Sequence, residues 1–447
     1  MGHHYKLLEP DCIVYLPIFA KKILMEKKNM KRMILSLSFL FAVAYMYGQI
    51  TLEECRQKTQ DNYPLVKQYD LIEKTKEYNL NNVSKGYLPQ FALSAKASYQ
   101  SDVTELPVKI PGIDIKSQPK DQYQVMLELK QNIWDGGEIH AKKEMALASS
   151  DVEREKLNVD MYALNERVDQ LYFSILLLDE QLIQNQLLQG ELGRGFRQVS
   201  AYMENGIASQ SDLDAVRVEQ LNTRQKWVVL SASRQAYIQM LALLTGEELT
   251  ENTVLTKPVE SEVSPLGDIR RPELMWFDAQ SQRLEVQEEA LKVGYLPRFG
   301  LFVQGAYGNP GLNMLKDEFA PFYIAGVRLS WNFGSLYTLR NDKKLILTGR
   351  QQLQNNKNVF LFNTRLQATQ QNSGILSMRK QMQDDEEIIR LRTNIRLAAE
   401  AKVANGTLTV TDMLREITSE SMARQTKALH EIQLLMNIWK LKYTVNL

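Results

Sequence analysis

One stretch of the chain is written twice, and that repetition limits the possible folds more than any bulk property. Gly86–Tyr99 reads G-Y-L-P-Q-F-A-L-S-A-K-A-S-Y, and Gly294–Tyr307 reads G-Y-L-P-R-F-G-L-F-V-Q-G-A-Y. In each copy a helical stretch meets a Gly with a Pro three residues on, a pair that ends a helix and blocks its continuation. Strict alternation follows. Phe91, Leu93, Ala95, Ala97 and Tyr99 lie on one side, and Ala92, Ser94, Lys96, Ser98 and Gln100 on the other. A period of two predicts a strand with one apolar and one polar face. At roughly ten residues such a strand is long enough to cross a bilayer at a tilt.

Each copy is followed by a second strand of the same kind. Tyr123, Val125, Leu127 and Leu129 alternate with Gln124, Met126, Glu128 and Lys130, and the run ends at Ile133-Trp134-Asp135-Gly136-Gly137. In the second half Tyr323, Ala325, Val327, Leu329, Trp331 and Phe333 alternate with Gly326, Arg328, Ser330 and Asn332. The terminal aromatics are of the type that sits at a membrane–water boundary. Loops around Pro107–Pro119 and Gly308–Pro321 separate the strands of each pair. Four strands cannot close a transmembrane barrel, and an open sheet edge in lipid is prohibitive. Three copies would supply twelve strands, an even number within the known range, so closure itself predicts a homotrimer.

Helical patterns fill the remainder. Thr51–Lys85 is expected to be one helix with Leu52, Cys55, Leu65, Leu71, Ile72, Leu80 and Val83 as its apolar stripe. From Glu138 to Asn205 the residues Leu157, Met161, Leu164, Val168, Leu171, Ile175, Leu178 and Leu182 recur at spacings of four and three, a coiled-coil signature. Asn205–Ser209 predicts a helix–helix turn and Asp212–Leu244 a return helix. The second half repeats the plan: a helix from Arg271-Pro272 to Val293, two strands, a long helix from Gly334-Ser335 to Ala404, a turn at Asn405–Thr409 and a return helix, Asp412–Tyr443. Each long helix would measure roughly 100 Å. The fold class expected is therefore α+β, a coiled-coil helical tunnel with four transmembrane strands per chain and two internal repeats. The divisions are 1–48, an upstream segment; 49–246, the first repeat; 247–270, an irregular linker; and 271–447, the second repeat.

Lys27, Lys28, Lys31 and Arg32 precede the apolar run Met33–Tyr47, which reads as a secretory signal with cleavage near Gly48. A single membrane anchor is the alternative, but the run is short for a span. Seven Lys/Arg and three Asp/Glu lie in 1–48, leaving 47 basic and 50 acidic side chains, about −3, and one cysteine, Cys55. No internal disulfide can then form, and the near-neutral balance carries no nucleic-acid footprint. Gly190-x-x-Gly-x-Gly lies inside a helix and follows no strand, so it is not a phosphate loop. His140 and His430 have no partner at metal-ligand spacing. Nothing groups as a catalytic triad, metal site or cofactor site, so no enzyme and no cofactor are expected.

The duplicated Tyr-Leu-Pro-x-Phe junctions, the aromatic–Gly strand exits at Trp134–Gly136 and Phe333-Gly334, and two G-x-x-[ST]-x-x-D turns give the sequence a resemblance to the TolC family of outer-membrane efflux proteins. The resemblance covers nearly the whole chain after residue 48. It implies a homotrimer whose twelve-stranded barrel lies in outer-membrane lipid above a periplasmic helical tunnel. It also implies docking to a periplasmic adaptor (a membrane fusion protein) and an inner-membrane RND or ABC transporter, with passive export. Residue by residue, it implies an adaptor-docking tip at Gly206, Ile207, Ala208 and Ser209 and at Gly406, Thr407, Leu408 and Thr409. The same residues also read simply as helix caps, with Ser209–Asp212 and Thr409–Asp412 as capping boxes. A periplasmic gate would involve Asp212, Asp412 and Arg415. Arg415 stands where many members carry a second acid, and an Asp412–Arg415 pair is an alternative means of holding the tip shut. Lys96, Glu128, Lys130, Gln304 and Arg328 are expected to face the barrel lumen. The Gln- and Asn-rich stretch 351–358 fits either a tunnel lining or an ordinary exposed helix surface. The rival from another class is an exported coiled-coil scaffold or periplasmic adaptor without a pore, which has no use for two-faced strands of bilayer length.

Overall fold

A computed structural model describes residues 49–103, 119–260, 267–314 and 316–446. The expected signal segment, most of the first strand–strand loop and part of the linker lie outside the described residues. The elements run β1 (Gln49–Ile50), α1 (Leu52–Asn62), α2 (Lys67–Ser84), β2 (Gln90–Tyr99), β3 (Asp121–Trp134), α3 (Glu138–Glu204) and α4 (Gln210–Thr245). They continue with β4 (Val254–Leu255), α5 (Pro272–Leu291), β5 (Arg298–Asn309), β6 (Ala320–Ser330), α6 (Ser335–Ala404) and α7 (Val410–Val445). Helix α3 has 67 residues and α6 has 70, and the three glycines between 190 and 195 do not interrupt α3.

The chain divides into two compact units, each drawing on both halves of the sequence. Of the described residues, one, the turn unit, comprises those up to Lys58 and those within Gln170–Glu260 and Asp385–Ile432; the other, the sheet unit, comprises those within 59–169, 261–384 and 433–447. In the sheet unit β2, β3, β5 and β6 form one antiparallel sheet in that order. Two hairpins are thus joined where a strand of the first half, β3, pairs with a strand of the second, β5.

The duplicated junctions are held alike. Gln131 donates to Tyr87 O at 2.9 Å beside the first, and Trp331 Nε1 donates to Tyr295 O at 2.9 Å beside the second. Each strand exit also starts a helix by capping. Asp135 accepts from the amides of Gly137 (2.9 Å) and Ile139 (2.7 Å), and Asn332 accepts from Gly334 N at 2.9 Å. Satisfying these otherwise orphaned amides fixes where α3 and α6 begin.

Four expectations are corrected. The helix over Thr51–Lys85 is broken by a 3-10 turn at Pro64–Val66, because Pro64 lacks an amide proton and takes a first-turn position. Leu65 and Ile72 pack on Leu157, Met161 and Leu164 of α3, while Leu71 is exposed. Strand β6 stops at Ser330 rather than Phe333, since Trp331 and Asn332 are committed to the hydrogen bonds above, and the β5–β6 loop is only 310–319. The linker is not wholly irregular: Val254–Leu255 pairs in parallel with Gln49–Ile50. The buried Tyr172 hydroxyl lies 2.7 Å from Ile50 O and 2.6 Å from Thr256 O and closes that ladder. Cys55 is fully buried in the turn unit, and burial pushes its thiol up to about 12, which makes it inert.

Candidate functional site

Register assigns every side chain of the sheet to a face. Phe91, Leu93, Val125, Leu127, Leu301, Val303, Val327 and Leu329 share one face, and all of them are exposed. Leu93 is 74% and Val327 70% accessible, values typical of charged surface residues rather than of leucine and valine. Aromatic residues flank this band. Tyr99, Tyr123, Tyr307 and Tyr323 stand at one end, and Phe91, Trp134, Phe299 and Trp331 at the other. The outer sides of β2 and β6 have no strand partner among the described residues. Nor is any described helix long and apolar enough to cross a membrane.

The opposite face carries all five residues expected in the lumen. The fold brings four of them together around Glu128. Lys130 Nζ lies 2.7 Å from Glu128 Oε2, Gln304 donates to Glu128 Oε1 at 2.9 Å, and Arg328 is 4.0 Å from the same oxygen. Arg328 also covers the Phe302 ring, 5.0 Å from its centroid. The fifth, Lys96, stands apart beside Gln124 and forms no ion pair among the described residues.

The two turns are built alike in the turn unit. Gly206 (φ 71°) and Gly406 (φ 69°) take the left-handed conformation that other residues avoid. Around them Ile207 N donates to Tyr202 O (2.8 Å) and Gly206 N to Met203 O (3.1 Å), and Thr407 N to Lys402 O and Gly406 N to Val403 O, both at 2.9 Å. These paired bonds define the Schellman termination in both. Ser209 and Asp212 form a reciprocal capping box. Thr409 accepts from Asp412 N at 3.1 Å and donates to its carboxylate at 2.7 Å. Ala208 and Leu408 pack against one common core of Leu192, Val199, Val216, Val403, Val410, Met413, Leu414 and Ile417. The two motifs, far apart in sequence, are therefore neighbours within one unit, while Ile207, Ser209, Thr407 and Thr409 remain exposed.

Of the gate residues, Asp212 is occupied by its cap, and Arg415 lies 3.1 Å from Asp412 and 3.7 Å from Glu416. Both side chains of the Asp412–Arg415 pair are partly or largely solvated, so the pair contributes only a few tenths of a kcal/mol to stability. A stronger lock, not foreseen from sequence, follows two turns on. Glu420 is 7% exposed and is engaged by Arg396 (2.5 Å), by Thr393 (2.8 Å) and by Arg424 (2.7 Å). Burial alone would raise this carboxyl, but the hydrogen bonds from Arg424, Thr393 and Arg396 outweigh it and hold it below the usual carboxylate range. The i,i+4 spacing of Glu420 and Arg424 was readable; the tie from α7 to Arg396 on α6 needed the fold.

His430 Nδ1 lies 2.8 Å from buried Asp385, so this histidine has a carboxylate partner that spacing did not reveal. Among the described residues no group of His, Cys, Asp and Glu is arranged to hold a metal ion.

Residues 56–247 match the family described as outer membrane efflux protein. Solved structures with the same fold include the outer-membrane channel OprN, 14% identical with a TM-score of 0.65, covering 88% of this chain and 89% of that one. The outer membrane protein VceC from Vibrio cholerae is 12% identical with a TM-score of 0.61, covering 88% and 95%. The Campylobacter jejuni CmeC outer membrane channel is 13% identical with a TM-score of 0.59, covering 88% and 85%. No curated protein matches. The chain thus resembles the TolC family of outer-membrane efflux proteins in sequence over residues 56–247, and it shares the fold of solved outer-membrane channels over 88% of its length. That family is one of efflux and not of catalysis.

Proposed function

We propose that the chain is the outer-membrane channel of a tripartite efflux or type I secretion system, a passive duct across the periplasm and outer membrane. The observation that carries this reading is the sheet: an exposed apolar face backed by a polar one, with both edges unpaired among the described residues. In water such a face and such edges are an aggregation liability; in lipid the face is solvated and only the edges need partners. Three copies, each pairing its β2 edge with the β6 edge of the next, make a closed twelve-stranded barrel with Lys96, Glu128, Lys130, Gln304 and Arg328 lining the lumen. Helix α6 supports self-association, because Val359, Phe362, Leu366, Leu376, Ile388, Leu391 and Ile395 are exposed at spacings close to a heptad. The chain reads as two repeats, 49–246 and 271–447, about a linker. The turns at Gly206–Ser209 and Gly406–Thr409 are the adaptor-docking tip, presented to a periplasmic adaptor that couples to an RND or ABC transporter. Asp212, Asp412 and Arg415 lie next to that tip as gate residues. A pore-free scaffold would leave the apolar face uncovered.

Fractionation of expressing cells, sizing in detergent and planar-bilayer conductance test the reading together. A trimer from the outer-membrane fraction that conducts is the expected result. A monomer in detergent, or recovery solely as a soluble periplasmic protein, overturns it.

A further inference from the structure

The polar face of the sheet is interrupted near its loop end by a hollow. Met126 and Phe322 share one register row across Ala306, and Ile324 lies one step along. The β5–β6 loop, 310–319, brings Leu312 and Met314 to the same hollow, which has a volume of about 310 Å³. The loop is set closely: a Cβ on Gly311 would lie 2.8 Å from Ala320 Cβ, and Asn309 Nδ2 donates to Asp317 at 3.0 Å. Leu312 and Met314 remain more than half exposed there. A wall that only conducts water and ions has no use for an apolar lining of flexible side chains.

Two further observations point to a ligand. Ser98 Oγ and Asn309 Oδ1, both of residues lining the hollow, are buried and have no hydrogen-bond partner among the described residues. Buried polar atoms are nearly always satisfied, so such a pair calls for an external partner. Among the described lining residues Lys96 is the one charge and there is no carboxylate; Gln122, Gln124 and Gln304 supply further polar groups. The hollow is of the size of a small-molecule site, apolar with a few convergent polar groups.

We propose that this hollow binds organic anions with an apolar body, Lys96 meeting the charge while Met126, Phe322 and Ile324 meet the body. It is a transient exit site on the duct wall, so the proposal rests on the channel reading and narrows its cargo. Methionines and an aromatic ring adapt to bodies of different shape, which suits a route shared by several compounds.

The test uses the full chain in lipid nanodiscs, with 2-naphthalenesulfonate as anionic probe and 2-naphthol as its neutral counterpart, read by titration calorimetry. Removing a charge-assisted contact weakens binding by about tenfold or more, so Lys96→Gln is expected to lose that much affinity for the sulfonate and none for the naphthol. Lys96→Arg retains binding, and Phe322→Ala weakens both probes. Equal sulfonate affinity in the wild type and Lys96→Gln, or no wild-type binding at all, overturns the proposal. Conductance of the same preparation separates the two claims. A preparation that conducts but does not bind sinks the site alone; one that binds but never conducts sinks the channel reading.

Discussion

The turns at Gly206–Asp212 and Gly406–Asp412 share their cap chemistry and share a core, yet the helix pairs that lead away from them are fastened differently. From the first turn, α4 is tied back to α3 by neutral hydrogen bonds: Gln220 donates to Leu192 O at 3.2 Å and Asn185 to Thr223 O at 3.1 Å. An ionic tie, Arg234 to Asp179, comes further from the turn. From the second turn, α7 is tied to α6 by charge at once, through Arg392–Glu416 at 3.6 Å and the Glu420 cluster. Local sequence signals made the two turns look equivalent. The difference teaches that caps fix where a helix hairpin folds over, while cross-helix chemistry sets what conditions loosen it. Neutral hydrogen bonds are insensitive to pH and salt; ion pairs are not.

The largest expected effect is at Glu420. Removing one partner of a buried ionic cluster leaves charge uncompensated, so Glu420→Ala should destabilise by about 3 kcal/mol, against about 1 kcal/mol for Asn185→Ala beside the first turn. Thermal unfolding followed by helical ellipticity measures both, and equal losses would erase the contrast. The same cluster predicts a pH signature. Because the native Glu420 carboxyl is held below its ordinary value of 4.5, its stabilisation is complete above that pH and is lost as pH falls through the lower native value. The gap between wild type and Glu420→Gln should therefore shrink on acidification below 4.5 and stay constant from about pH 6 to about pH 8.

Next come the caps, where the turns should behave alike. Ser209→Ala and Thr409→Ala are each expected to cost about 1 kcal/mol. A cost at one turn and none at the other would show that the caps are not equivalent after all. Smallest in stability is Arg415→Ala, at a few tenths of a kcal/mol for a solvated pair. Its informative readout is single-channel conductance. A rise supports the Asp412–Arg415 pair as a restraint on the tip, and an unchanged value removes that pair from the gate.

Much of this chain is legible without its fold. Alternation over Phe91–Tyr99 and Tyr123–Leu129 located strands and sorted their faces, and that sorting placed all five lumen candidates on one side. The Gly-Tyr-Leu-Pro junctions and the Gly206 and Gly406 turns gave element boundaries to within a few residues. The misses share a cause. Pro64 interrupts a helix whose stripe looked continuous, because the apolar residues on either side still reach α3. The β1–β4 ladder, the Glu420 cluster and the His430–Asp385 pair all join residues dozens to hundreds of positions apart. The hollow beside Lys96 exists because a loop returns over a sheet whose strand order no local pattern specifies.

What the sequence determined by itself is whatever depends on neighbours within about one helical turn or one pleat: helix ends, caps, strand faces and the twofold order of elements. What the tertiary structure decided is which of these surfaces meet: β3 against β5, α7 against α6, and an apolar sheet face against nothing among the described residues. Pairing energies depend on groups that only folding makes adjacent, so similar local signals led to one hairpin fastened next to its turn by neutral bonds and another fastened there by charge.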